Sequence, residues 1–322
     1  MRLKAFILSA LAALMLAGAA VAQVEFWKHE WPRTDFSRAS VDLREIISGG
    51  PPKDGIPAIW DAEFQRVAAT RGLDGREPVI AVELEGATPR AYPIRYLMYH
   101  EIANDVIGGV PVAVTYCPLC NSAMVFDRRV NGQLRTFGVS GKLRNSDMVM
   151  YDRETESWWQ QAIGEGIVGH HTGDRLRQLP SWMESWDQFR ARNPEGLVMA
   201  EPNADRPYGH NPYRGYDSGR PFLYSGEMPP HGIAPNSRVI RVGERAWPME
   251  RLRRAGEIRE AGIRLTWAGE QASALDTGRI AQGRSVGSIR VRDGQGRDMP
   301  HDVMFAFAFH AFYPDGRWMI GQ

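Results

Sequence analysis

The chain has 322 residues, 43% hydrophobic and 24% charged, a globular balance that excludes a disordered, collagenous or coiled-coil protein. Its formal charge is +1, and removing the two basic residues Arg2 and Lys4 with an export segment takes it to −1. With the arginines scattered along the chain, that near-neutrality leaves no footprint for nucleic acid or an anionic membrane.

Arg2 and Lys4 precede an apolar run from Ala5 to Leu16, and Ala20-Val21-Ala22 fits the small-x-small cleavage pattern. Residues 1–22 read as a cleaved signal peptide, and the mature chain as periplasmic or secreted. No cysteine follows the apolar run, so a lipoprotein is not expected. No other apolar run approaches the ~20 residues that span a bilayer, so no stable membrane insertion of the mature chain is expected.

Residues 23–75 read as an N-terminal arm with aromatic anchors Phe26, Trp27 and Trp31, turn clusters at 49–55 and a short helix over 61–71. A first unit spans 76–235. In it Val79 to Leu84 reads as a strand and Arg90 to Pro93 as an extended piece. Pro93 opens an amphipathic helix over 94–106, with Ile94, Leu97, Met98, Ile102 and Val106 on one face. Gly108-Gly109 stops it. Val112 to Tyr116 and Ala123 to Asp127 read as strands around the loop Cys117-Pro118-Leu119-Cys120-Asn121. Asn131-Gly132 is a hairpin signal, and 134–140, 148–152 and 163–168 read as further strands.

A second, degenerate unit spans 236–322. Val239 to Val242, Arg245-Ala246-Trp247-Pro248, Leu252 and Ile263 to Trp267 echo Val79 to Val82, Arg90-Ala91-Tyr92-Pro93, Leu97 and Val112 to Tyr116. The expected fold is α+β: mixed or antiparallel sheets in two related strand–helix–strand halves, packed about a pseudo-twofold axis within one compact domain. Near the C-terminus, Phe305-Ala306-Phe307-Ala308-Phe309 alternates like a buried strand.

Cys117 and Cys120 are the only cysteines, so the protein is no disulfide scaffold. Their loop has three readings. A redox or nucleophilic thiol needs a helix N-terminus to favour thiolate, and strand follows here instead. A metal knuckle fits Pro118, which presets the turn, and Asn121, which tolerates a left-handed backbone. A disulfide closing so short a loop would stabilise weakly. A knuckle supplies two ligands, so zinc needs others, whereas copper(I) accepts fewer, softer ones. His100 is the candidate third ligand, or a partner of the thiol in an enzyme, with Asn104 or Asp105 behind it. If helix and strand pack antiparallel, rises of ~1.5 and ~3.3 Å per residue leave His100 ~8 Å short of Cys117. Gly164-Glu165-Gly166-Ile167-Val168-Gly169 spells a dinucleotide motif but lacks its strand and long helix, so it is rejected.

Tyr99-His100-Glu101-Ile102-Ala103-Asn104-Asp105, Gly108-Gly109-Val110-Pro111-Val112 and Thr115-Tyr116-Cys117-Pro118-Leu119-Cys120-Asn121 resemble the signature of a bacterial exported family catalogued as domain of unknown function 3179. Phe126-Asp127-Arg128, Met150-Tyr151-Asp152-Arg153 and Asn211-Pro212-Tyr213-Arg214-Gly215-Tyr216-Asp217 extend the similarity. It runs from about Gly55 to the C-terminus and implies one family unit that groups His100, Cys117 and Cys120, without assigning roles. The preferred expectation is a periplasmic protein binding copper or zinc through Cys117 and Cys120. The alternatives are a thiol-dependent enzyme using Cys117, and a non-catalytic interaction module suggested by the Tyr- and Pro-rich stretch 202–235. A protein or metal-donor partner is not identified by the sequence.

Overall fold

The computed structural model describes residues 24–202 and 205–321; the expected signal peptide lies outside them. Helix makes up only 16% of the structure, and five small sheets are arranged as a five-bladed β-propeller. The expected α+β fold of two halves about a pseudo-twofold axis is therefore corrected. The physical reason is that each of the helices Ile94–His100, Trp186–Arg192, Met249–Ala255 and Ala306–Phe312 has seven residues, too short to form a layer of its own. They serve as connectors, and the apolar surface is buried between sheets.

Blade I consists of Ile46–Ser48, Phe137–Arg144, Asp147–Asp152, Trp158–Gln160 and Glu165–Val168, each antiparallel to its neighbour. Blade II has the order Trp182–Ser185, Pro78–Val82, Arg90–Pro93, Leu197–Met199, Phe64–Arg66. Blade III has the order Asp302–Phe305, Arg238–Val242, Arg245–Pro248, Arg317–Trp318. Blade IV is Ile102–Ile107, Val110–Cys117, Ser122–Asp127, and blade V is Glu257–Glu260, Ile263–Gly269, Ser288–Asp293. Arg129–Val130 and Gln133–Leu134 form a separate hairpin, turning at Asn131-Gly132 with both residues at positive φ.

The blades are repeat-like. In blades II and III a central antiparallel hairpin is joined on one side by an antiparallel strand and on the other by a parallel one. A seven-residue helix then leads from II into IV, as another leads from III into V. The stretch 23–75 also supplies strands, Ile46–Ser48 to blade I and Phe64–Arg66 to blade II. Trp27 and Trp31 pack edge-on against Trp158, with ring centroids 5.0 and 5.3 Å apart.

Three local expectations change. The helix after Pro93 ends at His100, and Ile102–Ile107 is a strand that turns at Gly108-Gly109. The apolar spacing 94, 97, 98, 102, 106 fits a helical stripe, but pairing of Ile102–Ile107 with Val110–Cys117 overrides it. Residues 61–71 hold the short strand Phe64–Arg66 and a 3-10 turn, Val67–Ala69, not an α-helix. Of the alternating Phe run only Phe305 is in a strand, and Ala306 begins a helix.

Candidate metal centre

Val110–Cys117 and Ser122–Asp127 form the hairpin whose loop is Pro118 to Asn121, with Cys117 paired across the ladder to Ser122. The Asn121 amide donates to the Pro118 carbonyl at 3.2 Å, and Asn121 adopts φ +52°. That left-handed residue closes the knuckle, and Asn bears the conformation better than most residues. The loop is clamped from blade III: the Phe305 amide donates to the Cys120 carbonyl at 2.8 Å, and Asn121 Nδ2 donates to the Val303 carbonyl at 3.1 Å.

The third member comes from blade I. Phe137–Arg144 and Asp147–Asp152 are joined by Asn145-Ser146, both at positive φ, a two-residue turn matched to strand twist. The turn delivers Asp147 to the cysteines. Donor atoms of Cys117, Cys120 and Asp147 all lie within 4.8 Å of one another, and all three residues are buried. Both thiols are free. Cys120 Sγ donates to the Ser146 carbonyl at 3.4 Å.

Asp147 is held on one side only. Its Oδ2 accepts from Gln160 Nε2 at 2.7 Å and from the Ala162 amide at 2.9 Å. Its Oδ1 is buried and has no N–H or O–H donor among the described residues, with only the thiols of Cys117 and Cys120 beside it. Burial pushes the carboxyl up to about 6, against the pull of those donors and the adjacent thiols. Burial raises the Cys117 thiol, and raises Cys120 further, with Cys117 itself and Asp147 adding to the effect. Buried carboxylates are ordinarily paired or metal-bound, and thiols raised by apolar surroundings are poor nucleophiles.

The donor set fits a metal ion. Thiolate and carboxylate bind zinc at ~2.3 and ~2.0–2.2 Å. Tetrahedral donors then stand ~3.5 Å apart, so a cluster spanning up to 4.8 Å closes with small side-chain rotations.

His100 is placed elsewhere. Its Nδ1 lies 2.6 Å from the Pro57 carbonyl and its Nε2 2.6 Å from the Tyr208 hydroxyl, so both ring nitrogens are engaged outside the cysteine cluster. Burial lowers its pKa, with the Pro57 carbonyl opposing. Asn104 instead holds blade I: its Nδ2 donates to the Phe137 carbonyl at 2.8 Å and its Oδ1 accepts from the Phe137 amide at 2.9 Å. Asp105 binds Arg90 and the Tyr92 hydroxyl. Sequence reasoning missed Asp147, which lies 27 residues beyond Cys120 and reaches it only through the packing of blades I and IV. The one local signal is an acid directly after a turn and ahead of the apolar run Met148 to Tyr151.

Glu101 lies next to this cluster. It caps the helix Ile94–His100 at φ +58°, ψ −34°, and its carbonyl accepts from the Tyr116 amide at 2.8 Å. Burial, reinforced by Asp147, pushes its carboxyl up to about 8.

Together these features define a β-propeller with a buried Cys–Cys–Asp group where blades I and IV meet. The chain belongs to the protein family of unknown function DUF3179, whose model matches residues 53–316. No curated protein and no solved structure matches it.

Proposed function

We propose that the protein is an exported metal-binding protein that holds one zinc ion through Cys117, Cys120 and Asp147. The observation that carries this reading is Asp147 Oδ1, a buried carboxylate oxygen with no N–H or O–H donor among the described residues and with two thiols beside it. A metal ion would satisfy that lone pair and hold both sulfurs as thiolates. Asp147 favours zinc over copper(I), which prefers thiolate and thioether donors without a hard oxygen. Three protein ligands leave a fourth coordination position open. His100 acts as a positioning residue, fixing Pro57 and Tyr208 around the helix end that presents Glu101.

The reading includes export with cleavage after Ala22, supported by the N-terminal sequence pattern. It also includes an internal duplication, supported by the matched strand order of blades II and III.

The test is metal analysis and native mass spectrometry of protein prepared from the periplasm, which also reads the mature N-terminus. One zinc per chain is expected, with Asp147→Asn weakening binding and Cys117→Ser abolishing it. Copper(I) bound with equal affinity by wild type and Asp147→Asn would replace zinc with copper. A wild-type protein that takes up neither metal would overturn the reading. A second reading, an enzyme using Cys117 as nucleophile, is disfavoured by the burial that raises its pKa.

A further inference from the structure

Above the cysteine loop lies a partly enclosed cavity of about 260 Å³. Its walls are mostly apolar and include Leu119, from between the two cysteines, and Met148, next to Asp147. Tyr213, Tyr216 and Phe222 bring three aromatic rings to it. Two charged residues line it, Lys142 and Glu101. Lys142 is neutralised, since its Nζ donates to Glu30 Oε2 at 2.9 Å. Glu101 is only 8% exposed, yet its carboxyl has no hydrogen-bond or ion-pair partner among the described residues.

The backbone makes this placement deliberate. At the corresponding helix end leading from blade III into blade V the residue is Gly256, at φ +71°, ψ −39°. Glycine adopts that conformation without strain, whereas a side chain there costs ~1–3 kcal/mol. The chain carries Glu101 in the strained conformation at the wall of a cavity, with a carboxyl that has no protein partner among the described residues.

We infer that this cavity is a binding site for a small organic cation, a protonated amine or quaternary ammonium with apolar substituents, with Glu101 as its counter-ion. The inference does not depend on a metal in the neighbouring cluster. A lone buried carboxyl calls for a positive partner. Aromatic rings attract the same charge, most strongly when water is excluded. The apolar walls select substituents over bare inorganic ions. The volume limits the ligand to a compact molecule, below the ~300–1,000 Å³ of most drug-sized pockets.

The test uses three probes of one shape and different charge: cyclohexylammonium, cyclohexanol and cyclohexanecarboxylate, titrated calorimetrically into the full mature protein at pH 8. Cyclohexylammonium is expected to bind with a dissociation constant of about 1 mM, at least ~10-fold tighter than the alcohol, with the carboxylate not binding. Glu101→Gln should reduce cation affinity to that of the alcohol while keeping the wild-type near-ultraviolet circular dichroism and a cooperative unfolding transition, which separates loss of the counter-ion from loss of the fold. Equal binding of cation and alcohol would overturn the proposal. So would preference for the carboxylate, no binding of any probe, or a Glu101→Gln variant that binds the cation like wild type.

Discussion

Glu101 gives the clearest energetic test of the site, because its burial sets a pH dependence with a definite sign. The unfolded chain releases this proton near 4.5, and the folded chain retains it to about 8. Between those values the unfolded state binds fewer protons, so stability falls as pH rises. From pH 5.5 to 8.5 the window that counts runs from 5.5 to the folded value. At 1.36 kcal/mol per unit this is a loss of about 3 kcal/mol. Asp147, raised to about 6, acts in the same direction but only at the lower edge of the window. The Glu101→Gln variant isolates the first contribution. Its stability in urea should decline less than that of wild type by about 3 kcal/mol over this range, both proteins being metal-free. Glu101→Gly should flatten the profile equally and add a pH-independent gain of ~1 kcal/mol. Relief of the φ +58° strain exceeds the entropy cost of glycine in the unfolded chain by about that much. Parallel pH profiles for wild type and Glu101→Gln would show that the carboxyl is solvated or paired, and the argument would fail.

Three more outcomes follow from the same geometry. Zinc must displace two thiol protons, so its apparent affinity should fall about 100-fold per pH unit below the thiol pKa values, as competition with a chelator at several pH values would read; a slope near zero would mean that the thiols are not ligands. In metal-free native protein, Cys117 and Cys120 should react with iodoacetamide far more slowly than in urea at the same pH, because burial disfavours both thiolates; equal rates would favour the nucleophile reading. Gly141→Ala should lower stability by about 3 kcal/mol or more in chemical denaturation, since Gly141 has φ +73° and a Cβ would stand 2.0 Å from the Pro51 carbonyl oxygen; an unchanged midpoint would mean that the 49–55 loop moves aside at no cost.

How much of this was legible in the sequence depended on whether each feature was local. The knuckle was local: a proline after the first cysteine and Asn121 after the second indicated the turn, and Asn121 has the left-handed backbone that the motif requires. The hairpin at Asn131-Gly132 was local too. The run 305–309 failed for a different reason. Ala306, Phe307, Ala308 and Phe309 are all buried, so the first turn of the helix shows no polar face, and the Phe-Ala alternation imitates a strand. The helix after Pro93 was overextended because strand pairing beyond Glu101 is a tertiary effect. Grouping His100 with the cysteines rests on the family signature, and the longer helix already leaves it ~8 Å short of Cys117. Once the helix ends at residue 100 the imidazole turns toward Pro57 and Tyr208, and Asp147 occupies the place beside the thiols.

The contrast between the repeat-like blades locates the chemistry. Blade IV turns through four residues between its second and third strands, with Cys117 ending the second strand and Cys120 in the turn, whereas blade V spans the equivalent gap with residues 270–287 and has no cysteine there. Glu101 ends the helix into blade IV, and Gly256 ends the helix into blade V. The strained acid and the thiols therefore occur on the same unit, and the unit without thiols has the unstrained glycine. Blade III contributes by clamping: Val303 and Phe305 hold the loop of Cys120 and Asn121. Blade I contributes Asp147 on a turn whose two residues both take positive φ. A site assembled this way, from one strained helix end, one knuckle, one hairpin tip and one clamping strand, depends on each blade staying in place against the others. The largely buried strands of blades I and IV provide that rigidity, and so hold four buried ionisable groups, Glu101, Cys117, Cys120 and Asp147, close together without their moving apart to find water.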